Sequence, residues 1–214
     1  MEEQSIPAIH VWLPLLKESV VGVSAGLVAL FAYLGLNTWR REIKGKSEYD
    51  LAKALLKAVF RVRDGFKHVR NIVIYQFEYP EEMTDKNGHL IAEHRYEGTA
   101  HVYETRWKVL ESAFRELEDL HLDAQVEWGG QYQEKIMALR ECRAELLVAV
   151  QQFIESKKSP GFAQEWESQA EKRESHSILY HLGSNSRHDN FTPKIEAAVS
   201  EFEAWLRPHI DKKG

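Results

Sequence analysis

Glu118 and His121 stand at the Glu-x-x-His spacing that sets a carboxylate and an imidazole on one face of a helix. Di-iron carboxylate centres inside helical bundles are assembled from that unit. Such a centre needs two copies of it and two further carboxylates aimed at the same interior, and the chain holds no second Glu-x-x-His. A neighbouring stripe carries His94, Glu97, His101, Glu104, Lys108, Glu111, Arg115 and Glu118. A metal held by His94, His101 and nearby carboxylates is one reading of it. The other is a solvated face, on which Glu104 with Lys108 and Glu111 with Arg115 form i, i+4 pairs worth about 0.2–0.5 kcal/mol each. The second needs no further ligands and is preferred.

His121 also falls on an apolar seam, where an imidazole is either a satisfied core residue or a group titrating near neutrality. His176, His181 and His188 show no metal-ligand spacing. Cys142 is the one cysteine, which excludes an intramolecular disulfide and reads as a small apolar packing residue. Nothing resembles a phosphate-cradling glycine loop, a nucleophile elbow or a paired-cysteine motif. The sequence therefore assigns no catalytic, cofactor or metal residue, and the chain is not read as an enzyme.

The elements that would carry such groups begin with a segment of another kind. Ser19 to Trp39 contains no charged residue and is followed at once by Arg40, Arg41, Lys44 and Lys46. At about 1.5 Å per residue, roughly twenty helical residues cross a hydrocarbon core of about 30 Å, so residues 19–39 read as a transmembrane helix. A cleavable signal peptide fits poorly, because the chain opens with Glu2 and Glu3, and Lys17 and Glu18 interrupt the apolar run. Residues 1–18 carry one lysine against three glutamates, so the positive flank is C-terminal. That predicts a short extracytoplasmic tail, one crossing bracketed by Trp12 and Trp39, and a cytosolic remainder.

Gly22 and Gly26 stand four apart within the anchor, the spacing at which two transmembrane helices approach closely, and they are a candidate self-association face. Arg40, Arg41, Lys44 and Lys46 are candidate contacts for anionic lipid headgroups, each worth on the order of 1 kcal/mol near the surface. Residues 40–74 hold ten Lys and Arg against four acidic residues, but the whole chain has a formal net charge of −5. That balance argues against nucleic acid as a partner.

Beyond the anchor the periodicity is helical throughout. Leu55, Val59, Val62, Phe66, Val69 and Val73 stripe a first helix over about 40–71. Tyr96, Ala100, Tyr103, Trp107, Leu110, Phe114, Leu117, His121, Ala124 and Trp128 alternate steps of four and three over 96–128, the seam of a coiled coil. Tyr132, Ile136, Leu139, Leu146, Val150 and Phe153 mark a third helix over 131–157, with Cys142 or Arg143 at the open step. Gly129-Gly130 forms the turn between the second and third. The fold expected is all-α, one N-terminal transmembrane helix and then an antiparallel bundle over 40–157. Residues 158–214 add a linker and C-terminal helices that pack on it.

Residues 72–95, with Pro80 and Asp85-Lys86-Asn87-Gly88, read as an extended loop on the bundle tip. Ser159-Pro160-Gly161 and Gly183-Ser184-Asn185-Ser186 bound a helix around Phe162–Leu182. Thr192 as cap and Pro193 in the first turn start a last helix that buries Ile195, Val199, Phe202 and Leu206 before Pro208.

The runs LNTWRREIKGKSEYDLAKALLKAVFRVRDGFKHVRN, AHVYETRWKVLESAFRELEDLHLDAQVEWG and FTPKIEAAVSEFEAWLRPHI together resemble a functionally uncharacterised family of bacterial single-span membrane proteins with a helical cytosolic domain. The resemblance covers most of the chain and implies a bacterial inner-membrane location. It brings no activity, cofactor or site residue.

Taken together, these features predict a membrane-anchored interaction or scaffold module, its partners being the bilayer, a second copy of itself and an unidentified protein. A metal or redox enzyme in the bundle and a domain that senses anionic lipid are the alternatives.

Overall fold

The computed structural model describes residues 9–129, 133–158, 169–183 and 186–211. The expectations for residues 1–8, Gly130, Tyr132, Ser159-Pro160-Gly161, Phe162, Ser184 and Asn185, and for the side chain of Trp12, lie outside them. Among the described residues five α-helices follow in order: α1 Ile9–Val69, α2 Arg95–Trp128, α3 Gln133–Glu155, α4 Gln169–Leu179 and α5 Phe191–Ile210. No strand occurs among the described residues. The protein is all-helical, as its periodicity predicts.

The chain divides into two compact units, Met1–Glu48 and Tyr49–Gly214, and α1 contributes to both. In the first unit α1 is apolar enough over an 18-residue window to cross a membrane, with mean hydropathy 1.3 and none of that window buried. Val23, Val28, Phe31 and Tyr33 are all more than 60% exposed. Helix formation here follows from the unbroken run of residues without proline between Leu15 and Asp50, which leaves every i to i−4 bond available.

The second unit is built on one apolar core. Leu55, Val59, Val62, Phe66 and Val69 of α1 are fully buried, whereas Val73 is half-exposed because the helix ends before it. On α2 the seam residues Tyr103, Leu110, Phe114, Leu117, His121 and Ala124 are buried, and Trp107 and Trp128 are partly so. Ile136, Leu139, Cys142, Leu146 and Val150 form the α3 face; the open step is filled by Cys142, and Arg143 instead lies over the Phe114 ring at 4.8 Å. Ile195, Val199, Phe202 and Leu206 of α5 complete the core.

Ends follow local chemistry. Gly129 terminates α2 with φ +85°, a conformation that glycine adopts without steric cost, and its N–H bonds the Gln125 carbonyl at 3.0 Å. α4 stops at Leu179 rather than Leu182. α5 begins at Phe191, one residue before the expected cap, so Thr192 lies inside the first turn; Asn190 is the cap residue, and Asp189 accepts the Thr192 N–H at 2.8 Å, where a carboxylate also suits the positive end of the helix. It then runs through Pro208, whose missing N–H removes one bond, while Asp211 N–H still reaches Arg207 O at 2.8 Å.

Residues 71–94 form the expected loop, containing three single 3-10 turns and an isolated bridge between Thr84 and Leu90. Asp85 closes its tip by accepting the N–H groups of Asn87 at 2.8 Å and His89 at 2.9 Å.

Candidate functional site

Gly22 and Gly26 have open space where a Cβ would stand, so neither glycine is required by packing within the chain. Arg40, Arg41, Lys44 and Lys46 are all exposed, and Lys44 approaches Glu48 at 3.9 Å. Lys53, Lys57 and Arg61 are likewise exposed, as a solvated helix face requires. Arg40, Arg41, Lys44 and Lys46 form a basic flank that follows the exposed apolar run directly in sequence.

The Glu-x-x-His pair is separated by its partners. Glu118 accepts a 3.1 Å hydrogen bond from Arg140 of α3. His121, 3% exposed, faces Gln125 at 3.1 Å through Nε2, and its Nδ1 has no hydrogen-bond partner among the described residues. Burial, and secondarily Arg140, push its pKa down, against an opposing pull from Glu118. Among the described residues no three His, Cys, Asp or Glu side chains are grouped so as to hold a metal. On the polar stripe Glu104 pairs with Lys108 at 3.0 Å as expected, but Glu111 reaches across to Arg143 at 3.6 Å instead of pairing with Arg115. Burial raises the Cys142 thiol to about 11, so it is protonated and inert at neutral pH.

Two buried arginines form polar centres that the hydrophobic pattern does not announce. Arg70 follows directly after α1. Its Nε donates to Ile178 O at 2.7 Å, Nη1 to Thr192 Oγ1 at 2.7 Å, and Nη2 to Ser177 O, Tyr180 O and Asp189 Oδ1 at 2.8–2.9 Å. Asp189 also accepts from Leu182 N and from Thr192 N and Oγ1. Burial alone would raise the Asp189 pKa, but these hydrogen bonds outweigh it and hold the carboxyl at about 2. His181 Nδ1 lies 3.0 Å from Thr192 Oγ1, and burial with the nearby Arg70 charge lowers its pKa. Each side-chain nitrogen of Arg70 has a partner, so the centre ties Ser177, Ile178 and Tyr180 to Asp189 and Thr192.

Arg106 on α2 does the same for the 71–94 loop. It donates to Asn71 O and Val73 O at 2.6 Å and makes a two-pronged contact with Glu78 at 2.7 and 2.8 Å. Glu78 in turn accepts Tyr75 N–H at 2.9 Å. The loop holds Tyr75 and Phe77 stacked at 5.4 Å, with Phe77 82% exposed.

A cleft of about 870 Å³ opens among α3, α4, α5 and the α4–α5 connection. Arg173, Arg187 and Lys194 line it together with Glu145 and Glu174 and with Ile178, Tyr180 and Phe191. His176 and His188 also line it, and His181 does not. Basic residues scattered over 173–194 gave no motif in the sequence; their convergence depends on the turn that Arg70 and Asp189 fix.

No protein-family model, curated protein or solved structure matches the chain.

Proposed function

We propose that this chain is a single-span membrane protein whose helical part acts as an interaction or scaffold module at a bacterial inner membrane. The observation that carries this reading is the exposed, uncharged run in α1, ending at Trp39 and followed by exposed Arg40, Arg41, Lys44 and Lys46. A contiguous apolar band of that length is unfavourable in water and is stabilised by lipid. The basic flank faces the cytosol with the remainder of the chain and contacts anionic headgroups.

The helices after Tyr49 form an antiparallel bundle. Supporting this, Arg61 pairs with Glu116 and the Asn71 carbonyl meets Arg106, so numbers rise on one helix as they fall on the other. Glu111 with Arg143 and Glu118 with Arg140 run oppositely between α2 and α3, and Glu145 with Lys194 and Lys135 with Glu201 do so between α3 and α5. Gly22 and Gly26 contribute a self-association face in lipid. Their open surroundings within the chain support that role, because replacement by isoleucine leaves one copy unstrained while blocking close approach of a second.

The test is fractionation of the tagged full-length protein, followed by affinity capture from mild detergent. Resistance of the membrane fraction to alkaline carbonate and recovery of a stoichiometric second protein support the reading. Release by carbonate overturns the anchor. Recovery of the protein alone, unchanged in assembly by Gly22→Ile with Gly26→Ile, overturns the module.

A further inference from the structure

We infer that the cleft among α3, α4 and α5 is a binding site for a small phosphate-bearing molecule with an apolar body. Cations from three separate elements converge there: Arg173 from α4, Arg187 from the α4–α5 connection and Lys194 from α5. Lys194 is engaged by Glu145. Among the described residues, neither Arg173 nor Arg187 meets a carboxylate, and Glu174 is the one further acid on the lining. Two lining guanidinium groups match a dianion with three terminal oxygens better than a single carboxylate, which one fork satisfies.

The cleft is fixed in shape before any ligand arrives. Part of its lining comes from residues 177–182 and 187–191, which five hydrogen bonds from Arg70, the Asn190 N–H to Ser177 Oγ at 2.9 Å and the Leu182 N–H to Asp189 Oδ2 at 2.9 Å tie together. Preorganisation of this kind lowers the ordering cost of binding. Ile178, Tyr180 and Phe191 add apolar surface to the lining, and a volume of about 870 Å³ suits a metabolite-sized ligand. The site is independent of the anchor and of the scaffold role.

The experiment is isothermal titration of the full-length protein in neutral detergent micelles with phenyl phosphate, inorganic phosphate, benzoate and phenol. Saturable binding of phenyl phosphate, at least about tenfold tighter than benzoate or phenol and weakened at least about tenfold by Arg173→Gln with Arg187→Gln, is the expected result. Both positions are exposed, so the variant's unchanged circular dichroism and melting are part of the expectation. Inorganic phosphate should bind more weakly than phenyl phosphate, because it leaves the apolar part of the lining uncovered. No saturation by phenyl phosphate below about 10 mM overturns the site. Equal binding of benzoate overturns the phosphate assignment, equal binding of phenol shows an apolar cleft only, and full binding by the double variant shows that the arginines hold nothing.

Discussion

Arg70 and Asp189, 119 positions apart, meet through a 2.9 Å hydrogen bond with side chains 1% and 0% exposed. The pair joins the end of α1 to the turn before α5. Removing one partner leaves the other charged and buried, which costs about 3–5 kcal/mol, whereas removing both spares that penalty. Arg70→Ala should therefore destabilise the second unit by that amount, and Arg70→Met with Asp189→Asn by distinctly less. Thermal unfolding of the full-length protein in micelles, followed by circular dichroism, measures both. A loss below about 1 kcal/mol for Arg70→Ala would show the centre to be dispensable.

The same carboxylate makes the fold acid-sensitive in a defined window. An unfolded aspartate titrates near 3.9, and Asp189 is held at about 2 in the fold. A depressed folded pKa contributes stability above the unfolded value and loses it as pH falls toward the folded one. Between about pH 4 and pH 2 the protein should lose on the order of 2 kcal/mol from this group. The Asp189→Asn variant, already less stable at neutral pH, should show a shallower slope across that interval in stability measured against pH.

His121 acts in a higher window. Its folded pKa lies below the usual value near 6.5 because the ring is buried beside Arg140, so neutral imidazole favours the folded state. That contribution is complete above about pH 6.5 and declines as pH falls below it. Replacement by leucine removes both the titration and the unpartnered Nδ1. His121→Leu should flatten the stability profile from pH 7 downward to the onset of the Asp189 transition. An unchanged slope would place the proton elsewhere.

Arg106 holds the 71–94 loop through two carbonyls and Glu78. Arg106→Ala leaves Glu78, Asn71 O and Val73 O to water, and the loop loses its tie to α2. Hydrogen exchange at Tyr75 and the other amides of 72–79 should rise by about tenfold or more, equivalent to about 1.4 kcal/mol of lost local stability, while amides in the centre of α3 stay protected. Equal acceleration in both places would mean global unfolding.

The apolar seam on α2 was legible because ten residues repeat at steps of four and three, and from Tyr103 to Ala124 all of them but the partly buried Trp107 are buried. The buried arginines were not. Arg106 sits three after Tyr103 and four before Leu110, a seam position by spacing, yet its charge reads as solvent-facing and Trp107 draws the assignment one residue on. Three of the five acceptors of Arg70 are backbone carbonyls, which carry no side-chain signal, and Asp189 is too distant in sequence for any local pattern to connect. Glu111 went to Arg143 because α3 packs within reach of it, a tertiary choice that i, i+4 spacing on one helix cannot register.

α1 and α2 approach each other tightly at Gly65 and Leu110. A Cβ built on Gly65 would stand 3.0 Å from Leu110 Cδ1 and 3.1 Å from Leu110 Cα. The side-chain atom can rotate away, but the Cα belongs to the backbone of a buried helix and moves only with it. Arg61 with Glu116, and Phe66 against Phe114 with ring centroids 5.8 Å apart, flank the same crossing and resist that shift. Gly65→Ala gains helix propensity of about 0.8–1.0 kcal/mol in isolation, and overpacking costs about 1–3 kcal/mol. The net expected is a modest loss of stability for alanine and a clear one for Gly65→Val, whose branch adds a second clash. Leu110→Ala alone should cost about 2–5 kcal/mol as a core truncation. In Gly65→Ala with Leu110→Ala, the space left by the leucine side chain relieves the crowding against Cδ1 but not the crowding against the backbone. The double variant's loss should therefore fall below the sum of the two single losses while exceeding that of Gly65→Ala alone, and a strictly additive result would show the helices separating freely at this point.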